Sequence, residues 1–431
     1  MDNRKVLIVT YYWPPSGGSG VQRWLKFVKY LHRQGWEPFV CTPENPSFTI
    51  KDTSLEKDIP ESVEVFKLPI WEPYQLFFWL QRLSGKKNIQ QTDFISTGKK
   101  SFFQKISSWI RGNLFIPDAR IFWVKPTVRF LADIIQTNNI NRIITTGPPH
   151  SIHLIGLRLK RKFPNIKWIA DFRDPWSEWD LLDTLSLSGW AKSRHQKLEN
   201  EVLTTADRVI TIAPYHVARF EELGNRKVEL ITNGFDEEDF LQTQSVTNTK
   251  FTIRHIGVVD ELRDPKPFIE ALKISMEQNP DMGKNVSVEF IGNVNSRFQK
   301  LIADDRGLSQ IVTFTPNIPH SELLAVYSQT DLMLLVLAHT TIAPGNLPGK
   351  FFEYLASGKP ILGIGPTEGD AAEILKQTNA GVILERPDVQ QIANAIDRYY
   401  KQWAAGELAK TSDMEKYTRR ALTDQLVQLL N

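Results

Sequence analysis

Short apolar runs of strand character alternate with helical patterns along this chain, and the alternation happens twice. Strands separated by a helix's worth of residues cannot be joined as hairpins, so the pattern confines the fold to parallel sheets covered by helices. In the first half the strand-like runs fall at 5–10, 37–42, 64–67, 142–146, 168–171, 208–212 and 228–231, with helical patterns at 20–34, 124–138, 150–162, 189–206 and 214–222. Residues 236–250 are acidic, then polar, without apolar periodicity, and read as a linker. The second alternation places strands at 251–256, 286–291, 311–314, 332–337, 360–363 and 381–384, and helices at 267–278, 295–305, 321–329, 349–357, 370–376 and 389–402. The expected architecture is α/β, with two Rossmann-like domains facing each other across a cleft. The first covers 1–238 and the second 250–405, while an amphipathic last segment, 406–431, is expected to pack back on the first. Such sheets bind ligands at the carboxyl ends of their strands, and clefts between domains are the usual small-molecule sites.

Composition narrows the function. The chain's 431 residues suffice for two full cores. Its one cysteine, Cys41, excludes an intrachain disulfide and any cysteine-based metal site, and reads as a buried strand residue. The first apolar run, Val6-Leu7-Ile8-Val9, is too short for a secretory core, and no uncharged run approaches the ~18 residues of a membrane span. A cytoplasmic protein is expected. Net charge is +3 but uneven: residues 67–129 hold eleven Lys or Arg against three Asp or Glu, a surplus of eight, which leaves minus five on the remainder. The same segment carries Trp71, Tyr74, Phe77, Phe78, Trp79, Phe102, Phe103 and Trp109. Basic plus aromatic composition suits peripheral contact with an anionic membrane surface on its inner face. It suits equally a helical insertion whose aromatics are core. No nucleic-acid-binding motif accompanies the charge, so no nucleic acid partner is expected.

Several motifs sit at strand ends. Gly17-Gly18-Ser19-Gly20 lies between strand one and helix one, where glycines admit a ligand and a helix N-terminus attracts an anion. Gly-x-Gly-x-x-Gly is absent and the second strand ends Val40-Cys41-Thr42-Pro43 without an acidic residue, which disfavours a nicotinamide or flavin enzyme. His150, in Thr146-Gly147-Pro148-Pro149-His150, stands at the ligand end of the sheet, placed either to meet a sugar hydroxyl or to cap its helix. Asp171, Arg173 and Asp174 follow another strand; they read as acceptor-binding groups or as a mutual ion pair. Asn233-Gly234 closes the first half as a turn. Gly257 ends the first strand of the second half, and Arg263 follows six residues later, a glycine turn and a cation suited to a diphosphate. The most specific segment is Asn346-Leu347-Pro348-Gly349-Lys350-Phe351-Phe352-Glu353-Tyr354. It offers a helix start for phosphate, a cation in the first turn and a carboxylate one turn on that can accept from a ribose diol.

This last segment resembles the nucleotide-binding motif of retaining GT-B glycosyltransferases of family 4. Pro319 to Tyr327 and Asp331-Leu332-Met333-Leu334 resemble the helix and strand that precede it there, and Gly17-Gly18, Asn233-Gly234-Phe235-Asp236 and Gly257 also stand where that family has them. The resemblance implies a nucleotide-diphosphate sugar held mainly by the second domain. Glu353 would bind the ribose, Lys350, Gly349 and the backbone near Asn346 and Leu347 would meet the phosphates, and His150 would contact the sugar. The chain departs from the family twice. Its cation pair after the glycine turn is Val258 and Arg263 instead of Arg and Lys, and the first of two glutamates spaced by seven residues is Gly345.

The chemistry expected is transfer of a glycosyl group to a glycan or lipid-linked acceptor, with retention by resemblance, in cell-surface polysaccharide or glycolipid synthesis. No Asp-x-Asp sits at a strand end, so Arg263, Lys350 and helix N-termini are expected to neutralise the leaving diphosphate without a metal or other cofactor. Two rivals stay open: a nucleotide-sugar epimerase or hydrolase on the same fold, and a catalytically silent nucleotide-sugar-binding protein.

Overall fold

The computed structural model describes residues 3–47, 51–72, 102–179, 182, 184–240, 247–408 and 411–431. The chain divides into two compact units, Met1–Thr232 with Thr423–Asn431, and Asn233–Leu422.

The first unit is built on a seven-stranded sheet in the order β3-β2-β1-β4-β5-β6-β7, its paired strands all parallel. The strands are β1 (Lys5–Val9), β2 (Glu37–Pro43), β3 (Glu64–Leu68), β4 (Arg142–Gly147), β5 (Lys167–Phe172), β6 (Arg208–Thr211) and β7 (Glu229–Leu230). Strands β1 and β4 are almost wholly buried along their length, which is why their sequences run apolar without alternation. Helix Ser19–Arg33 buries Val21, Trp24, Leu25, Val28 and Leu31 on one side, at the spacing its sequence pattern requires. Each such side chain contributes roughly 1.5–3 kcal/mol on burial. The last residues of the chain belong to this unit: Gln34 donates to Asp424 at 2.8 Å and Arg142 Nε to the Leu430 carbonyl at 2.7 Å.

The second unit repeats the plan with six parallel strands ordered β10-β9-β8-β11-β12-β13. They are β8 (Phe251–Ile256), β9 (Val286–Ile291), β10 (Val312–Thr315), β11 (Leu332–Val336), β12 (Ile361–Ile364) and β13 (Gly381–Leu384). In both sheets the chain first winds outward one way and then returns to the other side. The switch lies between β1 and β4 in the first unit and between β8 and β11 in the second. Loops leaving adjacent strands diverge there, opening a crevice at their carboxyl ends. Gly257 and the residues after β11 lie at the second switch point.

Two local readings differ. The linker begins with a short helix, Glu237–Phe240, because Asp236 caps it through the Glu238 N–H and its acidic first turn favours the helix N-terminus. Helix Ile121–Thr137 starts earlier than its apolar pattern, since Asp118 accepts from the Arg120 N–H just before it. Of the basic segment's aromatics, Tyr74, Phe77, Phe78 and Trp79 lie outside the described residues. Among the described residues no helix is long and apolar enough to cross a membrane.

Candidate functional site

In the second unit the site grows from the end of β8. Gly257 has φ +140°, a conformation that favours glycine, and a Cβ there would stand 1.8 Å from Lys350 Nζ and displace the end of that side chain. Next to it, Gly292 ends β9 with φ +130°, and a Cβ there would meet the Gly257 carbonyl at 2.4 Å. The two strand ends are therefore pressed together with no side chain between them.

Helix Gly349–Ala356 brings Lys350 to this turn. Its register is fixed one turn later by Tyr354, whose hydroxyl accepts from the Ile256 N–H at 2.7 Å and donates to the Ile256 carbonyl at 3.3 Å. Lys350 and Tyr354 are four residues apart and share a face; Phe351, Phe352 and Leu355 are buried. No side chain caps the helix start behind Pro348, so its first N–H groups remain available. Lys350 is half-buried, and its ammonium has no hydrogen-bond or ion-pair partner among the described residues. Burial first, and then the Arg263 charge, push its pKa down to about 7 against the pull of Glu353 and Asp260. Arg263 is held by Asp260, whose carboxylate accepts from Arg263 Nη1 at 2.7 Å and from the Arg263 N–H at 2.8 Å.

Glu353 sits on the same helix with both oxygens engaged. Tyr327 donates to Oε2 at 2.5 Å, and His320 Nε2 lies 3.3 Å from Oε1. Burial alone would raise its pKa; His320, the Tyr327 hydroxyl and the Arg419 charge outweigh that and hold the carboxyl below its usual range. Glu353 is thus a half-buried, oriented carboxylate. Asn346 is half-buried, and Leu347 is buried with its carbonyl accepting from Asn233 Nδ2 at 3.4 Å. Gly345, where a glutamate was expected by resemblance, is buried in the short turn Ala343–Gly345. Val258 is 40% exposed and brings no charge to that position. The structure brings Gly257, Arg263, Lys350 and Glu353 into one neighbourhood, with the helix start at Gly349.

In the first unit, Gly18 caps helix Ser19–Arg33 with φ +92° and no side-chain cap, beside a half-buried Gly17. His150 is buried, its ring stacked on Trp176 at 5.2 Å and set edge-on to Trp179 at 6.0 Å. Neither ring nitrogen has a hydrogen bond of ordinary geometry. Burial, and next the neighbouring His153, lower its pKa well below the usual range, so the imidazole is neutral.

Asp171, Arg173 and Asp174 are placed differently by the structure. Asp171 is wholly buried and accepts from Arg23 Nε (3.2 Å) and Nη2 (3.0 Å), Trp24 Nε1 (2.7 Å) and Thr146 Oγ1 (2.9 Å). A carboxylate so enclosed cannot reach an acceptor; it anchors helix Ser19–Arg33 to the sheet. Arg173 pairs with no carboxylate among the described residues. Its guanidinium donates to the carbonyls of Gly147 (3.1 Å), Pro148 (2.5 Å) and Gly20 (3.3 Å), strapping the glycine loop to the end of β4. Asp174 has no hydrogen-bond or ion-pair partner among the described residues; it is half-buried, and burial raises its pKa. Nothing in the sequence marks Arg23 as buried, because a charged residue on a helix reads as solvent-facing until its partner is known. His320 and Tyr327 were visible only as flanks of the motif.

Two Rossmann-like units, each with a parallel sheet that reverses direction at a switch point, define the GT-B class of fold. Residues 17–234 match the glycosyl transferase 4-like domain and residues 236–421 the glycosyl transferases group 1 domain. The chain belongs to the GT-B glycosyltransferases of this family. It is similar to the D-inositol 3-phosphate glycosyltransferase of Corynebacterium urealyticum, 23% identical over 218 residues, 46% of this chain; the match spans about half the length of that relative, 49%. Its fold resembles sucrose-phosphate synthase of Thermosynechococcus elongatus, with TM-score 0.62, 16% identity and coverage of 99% and 98% of the two chains. It also resembles WaaG, a glycosyltransferase involved in lipopolysaccharide biosynthesis, with TM-score 0.59, 12% identity and 99% coverage of each.

Proposed function

We propose that this protein transfers a sugar from a nucleotide-diphosphate donor to a glycan or lipid-linked acceptor, with retention of configuration. The observation that carries the reading is the unpaired Lys350 ammonium against the Gly257 turn, beside Arg263. Asp260 is committed to Arg263, and Glu353 to Tyr327 and His320, which leaves the Lys350 ammonium and an uncapped helix start to gain by admitting an anion. Glu353, held anionic by Tyr327 and His320, presents acceptor lone pairs to a ribose diol. As the anomeric carbon leaves the diphosphate, the charge that develops falls on Lys350, Arg263 and the N–H groups near Gly349. This arrangement supplies cationic charge from the chain itself, and the reaction is expected to proceed in EDTA. His150, neutral and ringed by Trp176 and Trp179, is assigned to the sugar, and Asp174 to the acceptor.

A role in cell-surface polysaccharide or glycolipid synthesis, at the inner face of the membrane, is supported by one further surface. Helix Ile121–Thr137 exposes Phe122, Lys125, Arg129 and Phe130 on one side, and Trp71 packs its ring on Phe122 at 4.9 Å. Glu72, next to Trp71, is wholly buried and bonded to Tyr11 and Arg120, which fixes this aromatic pair in place. Basic and aromatic side chains mounted rigidly on one face suit anionic headgroups. Sedimentation with phosphatidylglycerol vesicles should show salt-sensitive binding that Lys125→Glu/Arg129→Glu abolishes; unchanged binding in that variant would sink the membrane reading.

The decisive experiment titrates UDP, GDP and ADP calorimetrically, with and without EDTA, and then follows turnover of the matching nucleotide sugar. One diphosphate should bind without metal, and Lys350→Ala and Glu353→Ala should each weaken it about ten- to hundredfold, the worth of a charge-assisted hydrogen bond. Unchanged affinity in both variants refutes the site. Gly345 leaves no glutamate at that turn, which favours a second reading, a silent binder; donor binding without turnover on any acceptor would select it. Conversion of donor in the absence of acceptor would select the epimerase or hydrolase.

A further inference from the structure

Arg386 follows β13, and nothing in the sequence pattern marks it. Its half-buried guanidinium donates to three backbone carbonyls: Nη1 to Asp264 at 2.7 Å, and Nη2 to Leu262 at 3.2 Å and Leu337 at 2.6 Å. Leu262 and Asp264 are the residues on either side of Arg263. Leu337 continues β11, the strand beside β8 at the switch point. The Leu262 carbonyl accepts a second bond from the His339 N–H at 2.9 Å, again from the segment after β11.

Arg263's own bonds are local. Asp260 holds both its guanidinium and its N–H, and also accepts from the Leu262 N–H at 3.1 Å. Those contacts travel with the loop and do not fix it to anything. Val259 and Glu261 tie the start of this loop to the segment after β9, through Asn293, Asn295 and Arg297, while Arg386 and His339 tie its Arg263 end to the segment after β11. Arg386 reaches the two sides of Arg263 with separate nitrogens of one planar fork, Nη1 to Asp264 and Nη2 to Leu262 and Leu337, a span that the single nitrogen of a lysine does not reproduce.

We infer that Arg386 is a positioning residue for the diphosphate: by gripping the backbone on both sides of Arg263, it sets where that cation meets the phosphates. This rests on the proposed reading of Arg263 as a diphosphate-binding cation.

The test is a double-mutant cycle on the full chain, read by calorimetry with UDP, GDP, ADP and inorganic pyrophosphate, with thermal melting of each variant alongside. Arg263→Ala should weaken the preferred diphosphate on the order of tenfold or more. Arg386→Ala should produce a comparable loss, for pyrophosphate as well as for the nucleotide. In the Arg263→Ala background it should cost nothing further, because there is no longer a guanidinium to place. Arg386→Lys, which keeps the charge and the bulk, should bind like Arg386→Ala, and it serves as the folded variant should the alanine melt. If the two losses multiply in the double variant, Arg386 acts elsewhere and the inference falls. Wild-type affinity in Arg386→Lys alongside a weakened Arg263→Ala also overturns it while leaving the donor site intact. Wild-type affinity in Arg263→Ala would overturn both.

Discussion

Raising the pH from 7 to 9 should expel the diphosphate, and Lys350 sets the scale. In the free protein its pKa is pushed down to about 7, first by burial and then by Arg263. A bound diphosphate adds negative charge beside it and favours the ammonium, so binding takes up a proton wherever the free amine is neutral. The sign follows: affinity is greatest at or below pH 7 and falls as the pH rises. The protonated fraction of a group with pKa of about 7 drops from about one half at pH 7 to about 1% at pH 9, roughly a fiftyfold loss of affinity, or ~2.3 kcal/mol. The phosphates themselves, with a last ionisation near pH ~6, are already charged across this window. Calorimetry in buffers of different ionisation enthalpy measures the proton directly. Uptake should be about half a proton at pH 7 and approach one by about pH 8.5. Lys350→Met, uncharged and of similar bulk, should bind more weakly at pH 7 and show neither uptake nor slope. Persistence of uptake in Lys350→Met refutes the assignment of the proton to this lysine, and absence of uptake at pH 8 together with wild-type affinity in Lys350→Met refutes its assignment to the phosphates.

Other substitutions test neighbouring parts of the same reasoning. Gly257→Ala puts a methyl 1.8 Å from Lys350 Nζ on a backbone at φ +140°, and should weaken diphosphate binding at least about tenfold and lower the melting temperature; wild-type affinity would show that Lys350 does not act from this position. Tyr327→Phe removes a hydrogen bond to a charged group worth about 1.5–3 kcal/mol and should weaken nucleoside diphosphates but not pyrophosphate; equal losses for both would remove Glu353 from the ribose. Asp171→Asn leaves Arg23 buried without its counter-charge, which costs about 3–5 kcal/mol, whereas a double replacement of Arg23 and Asp171 by apolar residues should cost less. Chemical denaturation of both variants measures it, and equal stabilities would show that leaving Arg23 without its counter-charge carries no extra cost.

Sequence alone determined the elements and their kind. Buried parallel strands must be apolar throughout, and helices on a sheet must be apolar at helical spacing, so both periods are written locally and strands such as β8, β9 and β13 begin and end where the pattern says. The segment from Asn346 to Tyr354 was legible for a related reason: its helix start, cation and carboxylate are set by spacing along one helix. Partnership across the fold is another matter. Asp171 and Arg173 look alike in sequence as charges at a strand end, yet one is enclosed by Arg23, Trp24 and Thr146 and the other braces three carbonyls. Which charge meets which partner depends on the order of strands in the sheet, because only that order carries helix Ser19–Arg33 over β5's end, or lets Arg386 reach the loop around Arg263 from 122 residues away. No local period encodes such a distance. Even the state of Lys350 belongs to the tertiary structure: any lysine in a helix's first turn offers a cation, but only burial beside Arg263 and against Gly257 makes its charge answer to pH near neutrality.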